Sequence, residues 1–175
     1  MIDRLRRGFE LLLETVCIVL LVLLMVIVTL GIVFRTAGHP LVWYDELASV
    51  NLAWLTYYGA ALAALKRAHI GFNGLVNALP PAVRVPLALF TELLIIVFFL
   101  ALGWFGVGLL RTLAGETLVS LPLPVAVTQS VIPIGSLLFV IAEILNLPRV
   151  LEQARGRGIA DPHEPISAAA SELTH

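Results

Sequence analysis

Charge is scarce in this chain: only 13% of its 175 residues are Asp, Glu, Lys or Arg, where a soluble domain carries roughly a quarter. With 59% hydrophobic residues and a mean hydropathy of +0.99, that scarcity excludes an ordinary soluble globular domain. Cysteine is nearly absent as well. Cys17, inside an apolar run, is the one cysteine, so neither an intrachain disulfide nor a thiolate metal cluster is available, and the redox compartment stays undecided. Four histidines occur, and none lies deep in an apolar run: His39 and His69 sit at run ends, His163 and His175 in the tail. Haem held between facing helices is thereby excluded. There is no Ser and His pair, Asp pair or His-Glu-x-x-His set at depth, and no Gly-rich phosphate loop, so the chain reads as a non-enzyme without cofactor or metal. A net charge of -1 gives no case for a nucleic-acid partner.

What the chain does have is long apolar runs. Four are long enough to cross a bilayer: Leu11 to Phe34, Glu46 to Leu65, Leu87 to Leu110, and Val125 to Leu147. The second carries no charge from Leu47 to Leu65, and 19 residues rise roughly 28 Å as a helix, close to the ~30 Å hydrocarbon core. The runs are separated by Ala37-Gly38-His39-Pro40, Leu79-Pro80-Pro81 and Leu121-Pro122-Leu123-Pro124, which combine turn formers with residues that cannot continue a helix. The fold class expected is therefore all-α integral membrane, with four transmembrane helices and successive helices packed as antiparallel neighbours.

The basic residues orient it. Arg4, Arg6 and Arg7 precede the first run, Lys66, Arg67 and Arg84 lie between the second and third, and Arg149, Arg155 and Arg157 follow the fourth. Arg35 and Arg111 alone fall on the other side, which places both termini in the cytoplasm. The organisation expected is a cytoplasmic amphipathic start over 1–10, spans at 11–34, 46–65, 87–110 and 125–147, outer loops at 35–45 and 111–124, an inner loop at 66–86, and a cytoplasmic tail at 148–175, disordered from 156. The first run is too long for a signal peptide and lacks its cleavage site, so it is read as retained.

Ionisable groups that could work at depth are few. Glu14, Glu92 and Glu143 each lie about one turn from the inner end of a run, too shallow for the central proton-binding carboxylate of small drug exporters. The second run is more informative. At 100° per residue, Asp45, Ser49, Thr56, Gly59 and Ala63 fall on one line of the helix, a small and polar strip suited to another helix. That neighbour is equally well one of the chain's own helices or a separate protein. Gly103 and Gly106 in the third run mark a second close approach. Thr128, Gln129 and Ser130 ahead of Pro133 suggest a kink in the fourth run. Arg35 at the end of the first run faces Asp45 and Glu46 across a short loop, so a salt bridge is expected there, with Trp43 and Tyr44 as interfacial anchors.

An Arg closing the first run (Arg35), then Trp43-Tyr44-Asp45-Glu46, then Gly59-Ala60-Ala61, then Lys66-Arg67-Ala68-His69 followed by Phe72-Asn73 resembles the small membrane (Q, DctQ-like) subunit of TRAP transporters, the tripartite ATP-independent periplasmic systems. Asn73 stands where that family often has Asp. The resemblance implies an accessory scaffold in the bacterial inner membrane, partnered by a large membrane subunit (M) and, through the complex, by a periplasmic substrate-binding protein (P). It implies sodium-coupled uptake of an organic acid in which this chain binds neither substrate nor sodium. The residues themselves also leave open a stand-alone four-helix transporter working as a homodimer, or a membrane anchor for a redox or lipid enzyme.

Overall fold

The computed structural model describes residues 2–66 and 80–155. Among these the chain is helical: α1 Ile2–Thr36, α2 Tyr44–Lys66, α3 Pro81–Thr112, the short α4 Val125–Gln129 and α5 Val131–Arg155. No strand occurs among the described residues; a lone bridge joins Thr117 to Pro124.

Local chemistry sets the boundaries. α1 ends because Gly38 adopts φ 82°, a left-handed conformation that costs glycine little. His39 N–H then donates to Phe34 O at 3.0 Å and Gly38 N–H to Arg35 O at 3.2 Å, which occupies carbonyls the helix end would leave bare. Asp45 and Glu46 stand in the first turn of α2 and Lys66 in its last, both favourable to the helix dipole. α3 opens on Pro80 in extended conformation with Pro81 at the first helical position, where proline's missing N–H costs nothing. The expected kink in the fourth run is a break between α4 and α5. Pro133 cannot donate to Gln129 O and its ring crowds that carbonyl, while Thr128 and Ser130 hydroxyls donate to Val125 O and Val127 O at 2.9 and 2.7 Å.

Among the described residues, three stretches are long and apolar enough to cross a membrane, Arg4–Thr36, Ala82–Thr112 and Val125–Glu152. α2 is a 23-residue helix, but Ser49, Asn51, Trp54, Thr56, Tyr57 and Tyr58 leave it less apolar than those three. The helices also run past the expected limits: α1 is 35 residues, about 52 Å, and α5 continues through Pro148 to Arg155.

Neighbours are not simply sequential. α2 packs on α1 and on α5, and α3 packs on α5, so the order of contacts through the structure is α1, α2, α5, α3. The expectation that successive helices are neighbours holds for the first pair and fails for α2 and α3, which are separated by α5. The buried core is accordingly narrow. Its main cluster comprises Leu13, Ala61, Ala64, Leu65, Phe139 and Ala142, with Phe99 stacked on Phe139 at 3.8 Å between centroids. α1 and α3 each keep a broad apolar face uncovered, with Trp104 79% and Phe105 73% exposed.

Close approaches need small residues. A side-chain carbon at Gly106 would meet Ile132 at 2.9 Å, one at Gly103 would touch Ser136 at 3.4 Å, and one at Gly135 would meet the Tyr57 ring at 2.6 Å. Gly103 and Gly106 thus pack α3 against α5 within the chain.

Candidate functional site

The residues singled out on α2 fall into two ends and one face. At the Glu46 end, the carboxylate does not pair with Arg35. Glu46 accepts the Val119 N–H at 2.9 Å and the Ser120 N–H at 2.8 Å, and the Ser120 hydroxyl donates to the same oxygen. Arg35 is exposed at the end of α1 and, among the described residues, pairs with neither Asp45 nor Glu46. In place of the expected salt bridge, adjacent N–H groups of one loop converge on both carboxylate oxygens as charge-assisted hydrogen bonds. That loop is itself folded back: Leu118 N–H donates to Leu123 O and Val125 N–H to Glu116 O, each at 2.9 Å. Val42, Asp45, Glu46, Ser49, Val119 and Ser120 line a cleft of about 270 Å³ here. Trp43 begins the turn, its carbonyl accepting Leu47 N–H at 3.1 Å, and the Tyr44 ring lies where a side chain at Gly31 would otherwise stand.

At the Lys66 end, three helices converge. The Lys66 ammonium donates to Glu14 and lies 3.6 Å from Glu10. Its hydrogen bond to Glu14 holds that ammonium above the ordinary lysine range, against the opposing effect of partial desolvation. The last-turn carbonyls of α2 are also taken: Arg6 donates to Leu65 O at 2.7 Å, and Asn146 Nδ2 to Ala64 O at 2.8 Å and Leu65 O at 3.1 Å. Glu14 is thus a pairing group at a helix end. Arg67, His69 and Asn73 lie outside the described residues.

Between the ends, the strip is open. Asp45, Ser49 and Thr56 are exposed, and nothing stands within 4 Å of a side chain built at Gly59; Ala63 is partly covered. The Ser49 and Thr56 hydroxyls donate to Asp45 O and Leu52 O of their own helix at 2.8 Å. The opposite face is the one the chain covers: Asn51 and Ala61 are buried, Asn51 Nδ2 donates to Leu20 O at 3.0 Å, and the Trp54 indole donates to Thr128 O at 3.1 Å. Sequence reasoning missed Asn51, Ser120 and Asn146. Asn51 and Asn146 carried a signal, as amides inside apolar runs; Ser120 carried none, because its role depends on a loop conformation. Among the described residues no group of three or more His, Cys, Asp or Glu could hold a metal ion.

Residues 24–153 match the family model described as tripartite ATP-independent periplasmic transporters, DctQ component. The chain belongs to the DctQ family. No curated protein matches it. As a DctQ chain it is a component of a transporter family rather than of an enzyme family, and its several apolar helices fit a multi-pass membrane subunit. Glu46, Lys66, Ser120 and Asn146 lie within the matched stretch, whereas Arg6, Glu10 and Glu14 precede it.

Proposed function

We propose that this chain is the scaffold subunit of a sodium-coupled TRAP transporter in a bacterial inner membrane, supporting a large M subunit that moves an organic acid delivered by a periplasmic binding protein. The family match carries this reading. α2 serves as the fourth span, with Arg35, Trp43, Asp45 and Glu46 at the periplasmic side and Lys66, Arg67 and His69 at the cytoplasmic side, so that both termini are cytoplasmic. Charge sorting supports that orientation.

The M subunit docks on the open strip of Ser49, Thr56, Gly59 and Ala63. A helix can approach closely where side chains are small; Ser49 and Thr56 are exposed, and nothing stands within 4 Å of a side chain built at Gly59. Fixing α2 between α1 and α5 holds the strip at constant depth, which is what an elevator mechanism requires of its static part. Gly103 and Gly106 contribute by packing α3 on α5 rather than by touching M.

The test is co-purification of this chain with a co-expressed TRAP M subunit, followed by uptake in proteoliposomes with the binding protein and a sodium gradient. Removing this chain is expected to abolish uptake while leaving substrate capture by the binding protein unchanged. Thr56→Trp or Gly59→Trp is expected to break the complex without lowering the melting temperature of the isolated chain. A complex that forms equally well with both variants would place the partner elsewhere, and transport by the purified chain alone would favour the homodimeric alternative.

A further inference from the structure

Two buried oxygens near the Lys66 end lack a donor. Asn146 is 1% exposed; its Nδ2 serves two α2 carbonyls, but its Oδ1 accepts no bond, and neither does the buried Oε2 of Glu92 on α3. Flipping the Asn146 amide would set Oδ1 against the Ala64 and Leu65 carbonyl oxygens, so the observed orientation is the only favourable one.

The helix register puts the two residues at one level. α3 and α5 pack with Phe99 against Phe139, Gly103 against Ser136, and Gly106 against Ile132 and Pro133, and Ala88 clusters with Val150. In each of these pairs an advance along α3 is matched by an equal retreat along α5, the register of an antiparallel seam. Glu92 falls on the same face of α3 as Ala88, Phe99, Gly103 and Gly106, and the register sets it opposite Asn146. The charged groups of α5 within a turn of this level are Glu143 and Arg149, and both already have partners; α4, which also touches α3, lies at the other end.

Unpaired acceptors facing each other in an apolar seam are costly. A hydrogen bond between them removes the penalty. We propose that Glu92 and Asn146 are hydrogen-bonded across the α3–α5 seam, either by the Glu92 carboxyl hydrogen donated to Asn146 Oδ1 or by one water that donates one hydrogen to each oxygen. This completes a polar link through every long helix: Arg6 on α1 to the Leu65 carbonyl on α2, that carbonyl to Asn146 on α5, and Asn146 to Glu92 on α3. The link makes the row of helices one body at that level. It does not depend on the transporter reading, since it concerns the isolated chain.

The test is a double-mutant cycle on the purified full chain in lipid nanodiscs, read by thermal unfolding. Glu92→Leu and Asn146→Leu are each expected to lower the melting temperature by a few degrees, with Asn146→Leu the larger because it also releases α2. The double variant should be no worse than Asn146→Leu alone, and Glu92→Gln, whose amide can donate to Asn146 Oδ1, should retain the parent value. Additive losses, an unchanged Glu92→Leu, or a Glu92→Gln as impaired as Glu92→Leu would each overturn the proposal. With coupling intact, an infrared carboxylic-acid carbonyl band that vanishes in Glu92→Gln assigns the hydrogen to the carboxyl, and its absence assigns it to water.

Discussion

Glu46 shows how far a single residue can be read. Its position in the first turn of a helix, beside Asp45, follows from the acid pair that opens an apolar run. Its partners do not, because Val119 and Ser120 lie more than 70 residues further along the chain, in a loop shaped by Pro122 and Pro124. In Glu46→Ala the Val119 and Ser120 amides lose their acceptor and are expected to exchange with solvent faster, measured by hydrogen exchange, with Glu46→Gln intermediate and Arg35→Ala without effect. Gly135 makes the complementary case. A leucine there would drive into the Tyr57 ring, and overpacking of this kind costs about 1–3 kcal/mol; Gly135→Leu should show it as a lowered melting temperature, partly restored by Tyr57→Ala.

At the scale of elements, each long apolar run lies within helix, and Gly38, Pro80 and Pro81 mark helix ends. The break before α5 was legible as well, from a proline following Thr128-Gln129-Ser130. Pro133→Ala restores an N–H that can reach Gln129 O, so α4 and α5 are expected to join as one helix. Spin-label distances between Val127 and Leu137 would lengthen toward those of a straight helix if that is so, and stay fixed if the Trp54 bond to Thr128 O holds the break. Less legible was the face each helix would bury. The strip on α2 could be drawn from residue spacing, but whether the chain's own helices would cover it could not. Lipid accepts an apolar surface all round a helix, so apolar periodicity does not mark the inner side as it does in water.

For the whole molecule, the row order α1, α2, α5, α3 is the property with the most consequences. In a Cys17→Ser background, a cysteine pair at positions 103 and 136 is expected to cross-link, as is a pair at 20 and 51, whereas a pair at 18 and 104 on the two outer helices is not. Cross-linking of that last pair would mean a closed bundle. Within this arrangement Ser49 and Thr56 of α2 stay exposed, on the face opposite buried Asn51 and Ala61.

Composition and the placement of charge indicated by themselves a helical membrane protein, the breaks at Gly38 and at Pro80-Pro81, and the family its motifs resemble. These are local quantities, since transfer to lipid, helix capping and charge asymmetry are summed over neighbouring residues. The tertiary structure alone decided that α5 separates α2 from α3, that Glu46 is held by a distant loop instead of Arg35, and that Asn146 closes the end of α2. Those outcomes depend on the fit of surfaces and the pairing of polar groups far apart in sequence, and no window along the chain contains both partners.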